Sequence, residues 1–411
     1  MDDGAAERDA FLRRRLEADF TRAFGGRPTH YVRAPGRVNL LGEHTDYNDL
    51  PVLPMALQHS VHLALRPRED ALLRVENLDP EFPPDEFEVD VSIPPREKGA
   101  WGNYVRAPAQ ELARRFAVWQ GFDAVVGSTL PVAAGLSSSS ALVNAVGLAL
   151  ATLGQVGLDP LGLAAVMADA ERYTGTMGGG MDQAISLGAR QGHAARIDFS
   201  PLRMRHILIP EDWRFIVADT GVRAEKSGAV QAAYNQRRAE CRQALERVGA
   251  ALVEEGRAEE QPESYPRLLT LVGGTRAALE VGEEALEGAL LKRFRHVITE
   301  ADRVGRAEDA LLMANLSTFG MLMDGSQGSL RTDFLVSSAV LDRLVVTALE
   351  GGAAGARLTG AGFGGCIVAL ADAGTAPGVL EALRAWSVKH EEAAPPFVAV
   401  PSAGASFRSW D

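Results

Sequence analysis

Four side chains able to hold hydroxyls or move protons fall within ten residues: Arg37, Glu43, His44 and Asp46. They lie in Arg33-Ala-Pro-Gly-Arg-Val-Asn-Leu-Leu-Gly-Glu-His-Thr-Asp-Tyr-Asn48, between two apolar runs. Carboxylates accept hydrogen bonds from hydroxyls, whereas Arg and His donate them, so the set suits a small polyhydroxylated ligand. A surface loop with local ion pairs is the ordinary alternative. The Glu-His-x-Asp run also has metal-ligand types, but no further His or Cys cluster accompanies it.

A second segment, Leu130-Pro-Val-Ala-Ala-Gly-Leu-Ser-Ser-Ser-Ser-Ala141, points to phosphate. It stands between a predicted strand and a predicted buried helix. Gly135 allows a tight turn and close approach of a ligand to the backbone. The hydroxyls of Ser137, Ser138, Ser139 and Ser140 fall where the helix starts, beside unpaired N–H groups and a partial positive charge. A polyphosphate needs that environment, and a serine hydroxyl can add a Mg²⁺ ligand. One serine would suffice for a helix cap; four exceed that need. The loop is not of the GxxxxGK[ST] type, which occurs nowhere in the chain. Two glycine-rich elements accompany it. Leu358-Thr-Gly-Ala-Gly-Phe-Gly-Gly-Cys366 runs into an apolar strand, and Thr176-Met-Gly-Gly-Gly-Met-Asp-Gln183 presents Asp182 after three glycines. Alone, the first is a common turn and Asp182 a turn or cap residue.

These segments need a scaffold. Phe11, Leu12, Leu16, Phe20 and Phe24 make one helical stripe, stopped by Gly25 and Gly26. Strands are predicted at 31–34, 52–57, 61–65, 72–75, 122–128 and 215–218. A half-exposed strand is predicted over 87–93, where apolar and polar residues alternate before Pro94 and Pro95. Helices are predicted at 103–119, 141–153 (apolar nearly all round), 161–173, 225–248, 284–304 and 307–323. A strand–helix–strand order closes the chain at 366–370, 378–386 and 397–400. Strands and helices mix in both halves, so the expected class is α+β in two domains, 1–205 and 206–411.

The 411 residues are 46% hydrophobic and 23% charged, ordinary usage for a folded chain. The 42 Lys and Arg against 54 Asp and Glu leave a net charge of −12, which argues against nucleic acid or an anionic membrane surface as partner. No apolar run is long enough to span a membrane, and the N-terminus lacks the apolar core of a secretory signal. Cys241 and Cys366 are far apart and form no CxxC pair, which fits a reducing cytoplasm and ordinary packing roles.

Taken together, the polar segment, the serine loop and the glycine elements resemble, in this order, the motifs of the GHMP kinase superfamily. Gly36-Arg-Val-Asn-Leu-Leu-Gly-Glu-His-Thr-Asp-Tyr-Asn48 most closely resembles the galactokinase signature, as does Ala233-Tyr-Asn-Gln-Arg-Arg-Ala-Glu-Cys241. The resemblance implies ATP-dependent phosphorylation of a monosaccharide at its anomeric hydroxyl, galactose first among the candidates. It implies a ribosomal-protein-S5-like N-terminal domain and a ferredoxin-like C-terminal domain with the site in the cleft between them. Asp182 would match the catalytic aspartate and Arg37 the arginine beside it. Glu43, His44, Asp46, Gly179 and Tyr234 would match sugar-binding positions. Gly135, Leu136, Ser137, Ser138, Ser139, Ser140 and Ala141 would hold the phosphates. Ser138 and Glu171 are the Mg²⁺ candidates, Glu171 from its position eleven residues before Asp182. The implied state is a monomer or weak dimer. Three departures bear on the sugar: Asp49-Leu50-Pro51 replaces the usual Gly-Gly-Phe, Gly178-Gly179-Gly180 precedes Met181, and Gln327 replaces a common histidine. A related anomeric kinase for an N-acetylhexosamine, arabinose or a uronic acid is the alternative, and a non-catalytic sugar-sensing protein is another.

Overall fold

A computed structural model of the chain describes residues 3–131, 135–222, 228–390 and 392–410. Residues 132–134 of the serine loop and 225–227 of a predicted helix lie outside them. The strands are β1 (His30–Leu41), β2 (Leu53–Pro67), β3 (Leu72–Asn77), β4 (Asp85–Glu88), β5 (Phe122–Ser128), β6 (His193–Phe199), β7 (Leu202–Leu208), β8 (Trp213–Asp219), β9 (Gly355–Thr359), β10 (Cys366–Asp372), β11 (Phe397–Ala399) and β12 (Ser406–Ser409). The helices are α1 (Asp3–Phe24), α2 (Asn103–Phe116), α3 (Ser138–Leu153), α4 (Pro160–Glu171), α5 (Met181–Gly188), α6 (Ala229–Glu254), α7 (Tyr265–Val272), α8 (Thr275–Ala285), α9 (Gly288–Leu312), α10 (Leu316–Ser329), α11 (Ala339–Glu350) and α12 (Ala376–Lys389).

The first sheet runs β12-β1-β2-β5-β3-β4, antiparallel except where β3 lies beside β5. The stripe of α1 buries Leu12, Leu16 and Phe20 on it, against Ala64 and Val125. As its composition requires, α3 is enclosed, with Val143, Val146 and Leu150 fully buried. A second antiparallel sheet, β11-β8-β10-β9, carries the C-terminal helices, and β6 with β7 forms a separate hairpin.

The division expected between 205 and 206 falls inside β7, and β12 returns to the first sheet with Tyr31 opposite Arg408. Chain order does not dictate which sheet a short terminal strand joins. Of the predicted strand at 87–93, only Phe87 and Glu88 belong to β4, with the Val89 N–H adding one bond to Ala71 O at 2.9 Å. Val89 and Ile93 are buried but Val91 is exposed, and the Ile93 N–H donates to Gln110 Oε1 at 2.7 Å, so neither the alternation nor the ladder continues past Val89. The helix break predicted after residue 304 occurs later. α9 continues through Gly305 to Leu312, and the Asn315 side chain caps α10 by accepting from Thr318 N at 3.1 Å.

β9 is an edge strand whose outward N–H groups are covered rather than left open. Ala356 N donates to Asp324 Oδ1 at 3.0 Å and Leu358 N to Gln327 Oε1 at 2.9 Å, both acceptors from one face of α10. Gln327 therefore anchors a strand, and its amide donates onward to Ser337 and Asp342.

Candidate active site

Asp182 sits in the first turn of α5, reached from α4 through the short turn Arg172–Thr174 and the glycine run. Gly179 fixes where that run goes. A Cβ at this position would lie 2.3 Å from Asp46 C and from Tyr47 N, so only glycine permits the approach. The Gly179 N–H donates to Asp46 Oδ2 at 3.1 Å, tying Asp182's loop to the N-terminal polar segment.

Asp182 Oδ1 accepts from Arg37 Nε at 2.8 Å, and its Oδ2 accepts from the Ser137 hydroxyl. Both side chains of the ion pair are largely buried, at 6% and 14% exposure. Arg37 Nη1 also donates to Gly135 O at 2.6 Å, so one guanidinium joins the aspartate to the serine loop. Burial opposes its charge, but Asp182, Glu43 and Asp46 together hold Arg37 above its ordinary value.

The serines divide their work. Ser137 adopts φ +62 just before α3 and turns its hydroxyl to Asp182 instead of capping the helix. Ser140 donates to both oxygens of Glu171, at 3.1 and 3.0 Å, and lies 3.5 Å from Asp182 Oδ2. Glu171 is buried and also accepts from the Gln183 amide. Ser138 and Ser139 open the first turn of α3 between them. Among the described residues, no three His, Cys, Asp or Glu side chains group as a metal site. One or two carboxylates with a hydroxyl and substrate phosphates are what Mg²⁺ uses, so Glu171, Ser140 and Asp182 fit that ion by donor type.

The other wall of the cleft is aromatic and polar. His44 lies at φ +63 with Nδ1 2.9 Å from Tyr47 OH and Nε2 3.2 Å from Ala361 O. Its ring packs on Tyr234 and Phe334, with centroids 5.5 and 4.7 Å away. Burial first, then His296, pushes His44 down to about 3, so the ring is neutral near pH 7. Burial and the nearby Asp182 raise the Asp46 carboxyl. Burial also drives the Tyr234 hydroxyl well above its usual value, keeping it protonated. Glu43 accepts from Gly360 N at 3.0 Å and from Arg357 Nη2 at 2.5 Å.

An open cleft results, enclosing about 680 Å³ with the solvent at its mouth included. Arg37, Glu43, His44, Asp46, Asp182, Tyr234 and the metal candidate Glu171 all line it. So do Thr176, Gln183, Gln231 and Gly360, which sequence reasoning did not single out. Gln231 had a signal, since it stands three residues before Tyr234 and so shares its helix face. Asp49, where the resemblance expects glycine, sits at φ +60, a conformation Asp tolerates better than most residues, and Leu50 is buried in the C-terminal core. Cys241 and Cys366 are buried free thiols; burial pushes Cys241 up to about 12, so neither is poised to react.

Residues 18–67 match the galactokinase galactose-binding signature, 103–189 the GHMP kinase N-terminal domain, and 307–389 the GHMP kinase C-terminal domain. The galactokinase of Chloroflexus aggregans is 39% identical over 395 residues, covering 95% of this chain and 96% of that protein. The chain belongs to the galactokinase family. The galactokinase of Chloroflexus aurantiacus is 38% identical over the same length. The crystal structure of Lactococcus lactis galactokinase complexed with galactose superimposes with a TM-score of 0.85 at 29% identity, covering 96% of this chain and 99% of that one. A Methanococcus jannaschii mevalonate kinase, at TM-score 0.59 and 16% identity, shares the fold. The galactokinase-family fold is thus present from β1 to the last strand, with both GHMP domains facing one cleft. No helix among the described residues is long and apolar enough to cross a membrane.

Proposed function

We propose that the chain transfers the γ-phosphoryl group of ATP to the anomeric hydroxyl of galactose. The observation that carries this reading is Asp182, held by Arg37 at 2.8 Å, at the meeting point of the serine loop and the hydroxyl-binding wall. Asp182 accepts the proton of the anomeric hydroxyl as its oxygen bonds to the γ-phosphorus. The bond from that phosphorus to the β–γ bridging oxygen breaks, and ADP leaves with the electron pair. Arg37 pairs with Asp182, and Ser137 fixes the carboxylate's rotation by donating to its other oxygen. The N–H groups at the start of α3 receive the phosphates, with Gly135 to Ala141 lining their path. Glu171 and Ser140, with Ser138 in the first turn of the same helix, would hold Mg²⁺, and that ion would supply charge neutralisation at the phosphoryl group. Asp46, His44 and Tyr234 orient the sugar through acceptor and donor groups, with burial keeping the His44 ring neutral and the Tyr234 hydroxyl protonated. The ligand is a polyanion and the chain is acidic, yet backbone N–H groups and one buried arginine bind phosphate without a basic exterior.

ADP release is measured against galactose, N-acetylgalactosamine, arabinose and galacturonate, with the product's phosphate position read by phosphorus NMR. Galactose 1-phosphate is expected as product. Asp182→Asn and Arg37→Ala are expected to lower kcat by about 10²-fold or more, the usual scale for a positioned base, with smaller changes in galactose KM. Near-normal turnover in either variant defeats these roles, and absence of galactose-dependent ADP release defeats the function. Glu171→Gln in the same assay is expected to raise the Mg²⁺ concentration required for half-maximal rate.

A further inference from the structure

Arg357 was not among the residues suggested by any motif role, yet it is the largest fully buried side chain among the described residues, at 0% exposure. It projects from β9, in the C-terminal domain, and its Nη2 meets Glu43 Oε2 of the N-terminal polar segment at 2.5 Å. Its Nε and Nη1 have no hydrogen-bond partner among the described residues. Such a buried cation must be compensated by carboxylates at hand. Glu43 is in contact, and Glu300 feels the charge from α9.

Glu43 is held on every side by groups outside its own loop. Oε1 accepts from Gly360 N at 3.0 Å, and its own N–H donates to Glu300 Oε1 at 3.2 Å. Its carbonyl oxygen lies 3.1 Å from His296 Nε2. The two carboxylate oxygens have about four acceptor positions, and Arg357, Gly360 N and the nearby Asn39 amide do not fill them all, so some remain. Glu43 lines the cleft, and those positions are what a sugar hydroxyl can use. The strand carrying Arg357 is itself immobilised by Asp324 and Gln327 on either side of it. One of the carboxylate's two oxygens is therefore fixed by a cation delivered by the other domain.

We propose that Arg357 is a positioning residue for sugar recognition: it clamps Glu43 across the domain junction in the rotamer that accepts a substrate hydroxyl. The idea rests on the galactose-kinase reading above. Without Arg357, Glu43 keeps the Gly360 N–H and the Asn39 amide as neutral partners, in a site whose burial raises its carboxyl, with Arg37 as the other cation in range. Phosphoryl transfer, which runs through Asp182, retains its own partners.

The test compares wild type, Arg357→Met, Arg357→Lys, Glu43→Gln and the Glu43→Gln/Arg357→Met double variant, reading kcat, galactose KM, ATP KM and the unfolding temperature. Arg357→Met is expected to raise galactose KM about tenfold or more, with kcat and ATP KM within about threefold. Arg357→Lys, which keeps the charge but not the rigid fork, is expected to fall between the two. The double variant is expected to be no worse than the poorer single, because the two residues act as one unit. An unchanged galactose KM in Arg357→Met, whatever the unfolding temperature, overturns the proposal; so does a loss confined to kcat. If Arg357→Met does not fold, Arg357→Lys decides, and a wild-type galactose KM there overturns it. Wild-type ADP release with galactose is read in parallel. Its absence defeats the kinase reading, whereas its presence with a flat KM series defeats the role of Arg357 alone.

Discussion

Gly178 and Gly179 are neighbours in sequence and opposites in environment. A Cβ on Gly178 meets nothing within 4 Å, whereas one on Gly179 would press into the backbone of Asp46 and Tyr47. Gly179→Ala is therefore expected to push the polar segment away from Asp182's loop and break the Gly179 N–H bond to Asp46. Galactose KM should rise at least about tenfold, the scale of one lost polar contact to a charged group, while Gly178→Ala stays within about twofold. Steady-state kinetics of the two variants check this; equal KM values would show that the approach at Gly179 is not needed. The same scale explains the serine run. Four identical residues were read as one phosphate-binding set, but Ser137 faces Asp182 and Ser140 faces Glu171. Nothing in a run of serines says which way each hydroxyl turns, because that depends on where α4 and α5 deliver their carboxylates.

At the scale of elements, α10 serves β9 as a neighbouring strand would. Asp324 and Gln327, three residues apart, take the N–H groups that an edge strand leaves over. Gln327→Leu keeps the volume but leaves the buried Leu358 N–H without an acceptor. It is expected to lower unfolding stability by about 1–3 kcal/mol, the usual penalty for such a group. Urea unfolding measures it, and a change under ~0.5 kcal/mol, no more than an ordinary surface substitution gives, would mean that the strand finds another acceptor. Elements with strong apolar periodicity were legible: β5 was expected over 122–128 and is found at Phe122–Ser128, and α3 was expected as a buried helix. Those with mixed patterns were not. β9 and β12 are short, and β6, β7 and β12 carry many polar residues, so their pairing partners rather than their own sequence make them strands.

Across the whole molecule, burial has neutralised several histidines. Burial pushes His44 and His62 down to about 3 and His296 to about 4, with His62 also beside Arg33. An unfolded histidine titrates near ~6.5. Below that pH the unfolded chain binds protons the folded chain refuses, so stability falls as pH drops from about 6.5 toward 4. Each such histidine costs about 2 kcal/mol between pH 7 and pH 5 by that linkage. His62 lies on β2, bonded to Tyr31 and outside the cleft, so it isolates the effect. His62→Gln is expected to lose about 2 kcal/mol less than wild type between those pH values, by urea unfolding at each. Equal losses would show that His62 is not held neutral in the folded state.

What the sequence determined by itself was the chemistry available and the order in which it comes along the chain. Residue types and local spacing decide whether a segment can donate, accept, turn tightly or start a helix, and those properties survive in any context. Asp182, Arg37, Glu43, His44, Asp46 and Tyr234 were found that way, by type and by resemblance, and they meet in one cleft. What only the tertiary structure decided is which groups hold one another. Arg357 and Glu43 are 314 residues apart, Arg37 and Asp182 are 145 apart, and β12 finds β1 across nearly the whole chain. Such pairs form because burying a charge or an edge strand demands a partner, and the packed fold alone determines which partner is within reach.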